Sequence, residues 1–265
     1  MRAKEREYQR ARCLARLATL EWAKAVALAK EIPAQVAEGR EPAPLGQLVR
    51  ALVEFPDKGA LEQRLADLGF TAVPGAKVAD AQLGDGLSVE DALTELGRVT
   101  NFDVETGRFP NEHDELMGSL SRIAAPTLDG VVFEEVPPSE AQMDNGPYLL
   151  RAYMDGKRYE LRAENNGDWY DLGAVLGLLN ALLTARKSEL RFIALPTGDQ
   201  TATVLAGPRK GIQELAQQRL IGIALPDDGM KDGKAFEAKV FEQLRREGRI
   251  VGPAGAGVPV DFVSE

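Results

Sequence analysis

From Arg10 to Ile32 the apolar positions Leu14, Leu17, Ala18, Ala25, Leu28, Ala29 and Ile32 recur at three- and four-residue steps. That spacing predicts one helix with a single apolar stripe, which Pro33 stops. After the polar, Pro-containing segment 38–44, the pattern predicts a helix over Leu45–Glu54 and another over Gly59–Leu68. The second of these ends at Gly69, a natural C′ residue. Phe70–Val73 reads as a short strand and 74–87 as an irregular loop. Ser88 then caps a helix to about Val99, with Asp91 completing a capping box. In NFDVETGRFPNEHDELM the first half reads as a loop and the second half opens a helix with Leu116, Leu120 and Ile123 on one face.

The period changes in the C-terminal half. Leu128–Val136 reads as a strand with its apolar centre at Val131–Phe133. Tyr148–Met154 and Lys157–Ala163 flank Asp155–Gly156, a dipeptide suited to the positive-φ turn of a two-residue hairpin. A long helix follows, expected to run from a cap at Asp168 to Lys187. Strands are expected at Leu190–Leu195, Thr201–Ala206 and Leu220–Leu225, with a helix from Pro208 to Arg219 and a last amphipathic helix over Gly233–Arg246. From Lys157 the order is strand, helix, strand, strand, helix, strand. That is the split βαβ order of ferredoxin-like folds, with the 148–154 strand added by the hairpin. The expected class is therefore α+β. A helical region (1–75) precedes an α+β domain (76–250) and a Gly-rich tail (251–265).

Charge changes this picture more than composition does. The chain is 265 residues long with a net charge of −9, one His and one Cys. Residues 80–135 hold thirteen acids against Arg98, Arg108 and Arg122, a local charge of −10. Clustered like charge costs stability and creates a field that attracts a basic partner. Residues 1–30 carry eight bases and three acids, or +5, so the rest carries −14. A basic arm on an acidic body can pair within the chain, pair with a second copy, or simply form a solvated helix face. A sequence pI near 4.9 argues against direct nucleic-acid binding. A lone Cys13, no apolar run of membrane-spanning length and no uncharged leader core give the expectation of a cytoplasmic chain.

Two polar loops, 165–169 and 196–200, each follow a strand that the split βαβ order makes parallel. They are therefore expected on one rim, where ligands of α/β proteins usually sit. The rim would display Asn165, Asn166, Asp168, Trp169, Tyr170, Thr197, Asp199 and Gln200. The simpler reading of the same residues is helix caps, turn chemistry and aromatics packed under the sheet. Asp103, Glu105, Glu112, His113 and Asp114 invite a metal, but zinc sites prefer several His or Cys and the calcium-loop pattern is absent. Glu112, Asp114 and Glu115 are explained as acids at a helix N-terminus. There is no G-x-S-x-G elbow and no P-loop, and no cofactor is expected.

The blocks FDVETGRFPNEHDELM (102–117), GDWYDLGAVLGLLNALL (167–183) and RFIALPTGDQTATVL (191–205) resemble a group of bacterial proteins associated with polymorphic-toxin immunity. The likeness covers about residues 90–220 and implies a cytoplasmic, non-enzymatic protein that occludes a toxin. The expected partner is a cognate toxin or another basic protein, most simply a nuclease. Its expected contacts are Asp103, Glu105, Glu112, Asp114, Glu115, Asp168, Trp169, Tyr170, Asp199 and Gln200. The alternatives are a small-molecule enzyme using Asp168 and Asp199, and a structural homodimer.

Overall fold

The computed structural model describes residues 12–13, 16–17, 20–32, 44–75, 88–143 and 146–246. The linker 38–43, the loop 76–87, most of the basic arm and the tail lie outside the described residues, as do Asp80 and Asp85. The elements are α1 (Trp22–Glu31), α2 (Pro44–Glu54), α3 (Lys58–Asp67), α4 (Val89–Glu95), β1 (Val99–Asp103), α5 (His113–Ile123), β2 (Val132–Val136), β3 (Tyr148–Met154), β4 (Lys157–Ala163), α6 (Leu172–Ala185), β5 (Leu190–Leu195), β6 (Thr201–Pro208), α7 (Arg209–Gln217) and α8 (Asp228–Arg246). The class is α+β.

The strands form two antiparallel three-stranded sheets, ordered β1-β6-β5 and β2-β3-β4. The single ferredoxin-like sheet is therefore not what forms. β4 and β5 are not parallel neighbours but belong to different sheets. The reason lies in α6, which carries buried residues almost all round (Leu172, Val175, Leu176, Leu178, Leu179, Leu182, Leu183). A helix apolar on every side cannot cover one face of one sheet and leave its back wet. It needs apolar cover on several sides, and it shares one core cluster with Tyr148, Leu150 and Ala152 of β3 and with Phe192, Val204 and Ala206 of the other sheet.

Other departures are local. The N-terminal helix is interrupted at Leu20–Glu21, and α1 starts at Trp22. Phe70–Val73 is not a strand; Val73 makes one backbone bond, to the carbonyl of Leu96. Residues 220–225 are also not a strand, apart from a bridge between Ala224 and Ala194. The expected loop at 101–103 is the end of β1. Asp171, not Asp168, caps α6, accepting the N–H of Ala174 at 2.9 Å.

Several expectations hold. Asp155 and Gly156 both have positive φ (53° and 72°), and β3 pairs with β4 across them from Tyr148↔Ala163 to Met154↔Lys157. Ser88 and Asp91 form the capping box of α4.

Among the described residues, the outer face of the β1-β6-β5 sheet is only half covered. Leu195 and Leu205 pack in a second cluster with Phe55, Leu61, Leu65, Phe70, Leu93 and Ile212 from the helices. Phe70 fits there because Gly207 and Gly211 carry no side chain: a Cβ on Gly207 would stand 2.2 Å from the ring. Further along the same face the residues turn polar, with Asn101 and Asp103 of β1 paired to Thr203 and Thr201 of β6.

Candidate protein-interaction site

The segment after β1 is pinned by backbone on both sides. The Val104 N–H donates to the carbonyl of Gln200, and the Val104 carbonyl accepts the N–H of Tyr170. Thr106 donates to the Asp168 carbonyl through both its N–H (2.6 Å) and its hydroxyl (2.7 Å). Asn111 is fully buried and donates through Nδ2 to the carbonyl of Trp169 at 2.9 Å. Segments 104–111 and 168–170 are thereby locked together.

His113 completes the clamp. Its ring is fully buried, and Nδ1 lies 2.5 Å from Oε2 of Glu135. The same oxygen accepts the His113 backbone N–H at 2.7 Å. Nε2 accepts the N–H of Asp171 at 3.2 Å, so Nδ1 holds the ring proton and donates it to Glu135. The ring packs against Tyr148 and Tyr170, with centroids 5.0 and 5.3 Å away. Both ring nitrogens are spent inside the fold, and the histidine serves as a structural joint between α5, β2 and the start of α6. The Tyr148 hydroxyl is buried with no hydrogen-bond partner among the described residues. Burial, followed by the charge of Glu135, pushes its pKa up to about 12.

Upon this joint stands an acidic rim. Asp103, Asp168 and Glu237 of α8 each lie near enough to Glu105 to act on its charge, and Gln200 bridges two of the acids, donating Nε2 to Asp103 (3.0 Å) and Glu105 (3.4 Å). The carboxyl of Glu105 is raised above the usual range by desolvation first, then by the charges of Glu237, Asp168 and Asp103. None of the four has an ion-pair partner among the described residues.

The remaining expected residues are spread out. Glu112 precedes α5 at φ 61° and pairs with Arg108. Asp114 and Glu115 follow it in the first turn. Asp199 closes the β5–β6 turn by accepting the N–H and hydroxyl of Thr201 at 2.9 and 2.6 Å. Tyr170 is half-buried, in an edge contact with Phe102. Trp169 is only 3% exposed and lies under α8: a Cβ on Gly233 would stand 2.2 Å from its ring. The face that a partner-binding tryptophan would offer is already taken.

The two loops expected on one rim do approach each other, for a different reason. No parallel strands carry them; the 104–105 segment bridges them, bonding Gln200 on one side and 168–170 on the other. Sequence reasoning missed Glu237, which reads as the polar side of an amphipathic helix, and Glu135, whose only signal is its two-residue step from Phe133. Thr106 and Asn111 give no signal at all. No helix among the described residues is long and apolar enough to cross a membrane, and no group of three or more His, Cys, Asp or Glu side chains among them could hold a metal ion. No family model, curated protein or solved structure matches the chain.

Proposed function

We propose that this chain acts by binding, as an immunity-type protein whose acidic surface occludes a basic toxin in the cytoplasm of its producer. A nuclease is the simplest partner, because its own site is built for phosphate. The observation that carries the reading is the rim of Asp103, Glu105, Asp168 and Glu237, none of which is in an ion pair among the described residues, the neighbouring Lys234 lying instead over the Trp169 ring at 5.9 Å. Like charges held together cost folding stability, and a cationic partner relieves that cost on binding. Such complementarity acts chiefly on the encounter rate and on the choice of partner.

The test is association with the product of the adjoining coding sequence, followed between roughly 50 and 300 mM salt, across which the Debye length shrinks from about 14 to 6 Å. The on-rate is expected to fall steeply with salt. Asp103→Lys, Asp168→Lys and Glu237→Lys together are expected to lower it further, by about tenfold or more. Reversal at Glu112, Asp114 and Glu115 is expected to have a smaller effect, since Glu112 is already neutralised by Arg108. Association indifferent to both salt and the rim reversals would remove the reading.

A further inference from the structure

Antiparallel pairing leaves alternate residues of an edge strand with their backbone groups turned outward. For β1 the phase is fixed by two bonds at its ends: the Ala206 N–H donates to the Arg98 carbonyl, and the Val104 N–H to the Gln200 carbonyl. In the register Val99↔Leu205 to Asp103↔Thr201, residues 98, 100, 102 and 104 therefore bond β6. The N–H and C=O groups of Val99, Asn101 and Asp103 point the other way, and no backbone bond to them appears among the described residues. Beyond Asp103 that edge is closed by 168–170. At the far side of the sheet, β5 is partly closed by Ala224. Among the described residues, the stretch 99–103 is the part of this sheet's edges left open along its length.

This open edge lines a cleft of about 1200 Å³. Its walls come from the 73–75 segment that follows Thr71, from α4, from the C-terminal turns of α5 and from the 125–131 segment, and its floor is the polar half of the sheet's outer face. The walls are tied together by Arg98, only 5% exposed, which donates to the carbonyl of Thr71 at 2.7 Å and to the last-turn carbonyl Ile123 at 3.0 Å. Four carboxylates line it, Glu90, Asp91, Asp129 and Asp199, against one cation, Arg122. Arg122 is turned back onto its own helix, donating to Ser119 Oγ at 2.8 Å. None of the four acids has an ion-pair partner among the described residues.

We propose that the open edge of β1 takes an extended, Lys/Arg-bearing peptide segment as an added strand, its cations meeting the carboxylates of the cleft. Main-chain bonds to Val99, Asn101 and Asp103 would supply affinity, and alternate side chains would reach the acidic walls, the usual division of labour in strand addition. The occupant is basic because the lining carries three negative charges in excess. It is extended because the unpaired groups stand in a row at a two-residue step. The inference rests on the proposed reading of this chain as a binder of basic protein, and names one element of such a partner: an unpaired basic strand or tail.

The probe is a ten-residue alternating Lys-Thr peptide, compared with the same peptide N-methylated at alternate residues along one edge, so that charge is kept and backbone donors are lost. With the wild-type chain, the parent peptide is expected to bind at low salt and to protect the Val99 and Asn101 amides from hydrogen exchange. The N-methylated peptide is expected to bind about tenfold or more weakly, the equivalent of one to three hydrogen bonds. Glu90→Gln with Asp129→Asn is expected to weaken the parent peptide several-fold. Equal binding of the two peptides, protection confined to 103–115, or full protection of Val99 and Asn101 in the free protein would each overturn the proposal. Any of these outcomes, together with salt-sensitive toxin association that depends on the rim, would leave the function standing and remove only the strand-addition element.

Discussion

The acid-rich run 80–135 builds two surfaces that behave differently. On β2, Glu134 faces solvent within a charge ladder: it accepts the Tyr153 hydroxyl at 2.6 Å and lies 3.5 Å from Arg151, which in turn holds Glu160 at 2.8 Å. The hydroxyl of Tyr153, followed by Arg151, holds the Glu134 carboxyl below its usual range. Its neighbour Glu135 is spent on His113. Around β1 the opposite holds, and Glu90 and Glu105 are both raised, first by desolvation and then by neighbouring acids. A count of charge along the chain cannot separate these cases. Cross-strand neighbours neutralise one group of acids, while the fold gathers the other without ion pairs among the described residues, and only the second keeps an uncompensated field.

The largest expected effect is on the satisfied side. His113→Phe strands the Glu135 carboxylate and the Asp171 N–H inside the core, and is expected to cost about 3 kcal/mol in urea unfolding, whereas Asp129→Lys changes stability by less than about 0.5 kcal/mol. Comparable losses at the two sites would erase the distinction between a structural joint and an acid-lined surface without ion pairs.

Gly233→Val probes how α8 brings Glu237 to the rim. Its side chain cannot fit over Trp169, and a cost of about 1–3 kcal/mol is expected, with a shift in tryptophan emission measured in a Trp22→Phe background. If the rim depends on this contact, the variant also brings the Glu105 carboxyl back toward its ordinary range.

At high pH the buried joint is expected to fail. Tyr148 is raised in the fold, so the native state keeps its proton where the unfolded chain has lost it. Its contribution is fully present below pH 10 and is lost as pH rises to about 12. Thermal melts of the wild type and Tyr148→Phe across that window check this: the variant is expected to lose less stability, and parallel curves would refute the assignment.

The smallest effect is expected at the rim. Glu105 is also raised, so its contribution is present below the unfolded carboxylate value and is lost as pH rises through the folded one. At neutral pH the repulsion is fully felt. Glu105→Gln is therefore expected to stabilise by a few tenths of a kcal/mol after solvent screening, and to flatten the melting temperature between pH 4 and 7. A destabilised variant would mean that the bond from Gln200 outweighs the repulsion.

Much of the local structure was legible. The DG hairpin, the Ser88–Asp91 capping box, the Gly69 stop and the strands at 190–195 and 201–206 all follow from short-range chemistry: positive φ, caps and two-residue alternation. The errors share a cause. Asp168 and Asp171 are equally good caps by type, and the choice of Asp171 goes with its N–H meeting His113. Leu220–Leu225 has the apolar content of a strand, but β5 accepts only Ala224. Trp169 reads as an anchor for a partner until α8 is seen to cover it through a glycine.

Short-range chemistry along the chain was enough for the α+β class, most element positions and the presence of excess negative charge, because each depends on residues within a few positions of one another. It also determined that Glu134 and Glu135 must face opposite ways, since a strand alternates. Which of the two turns inward depended on pairing with β3 and on a histidine 22 residues earlier in the chain. Likewise, the all-round apolar character of α6 announced burial but not what would bury it. Two sheets rather than one, the open edge of β1 and the rim that gathers acids from 103, 105, 168 and 237 were decided by tertiary structure, because long-range pairing and shared burial have no short-range sequence signal.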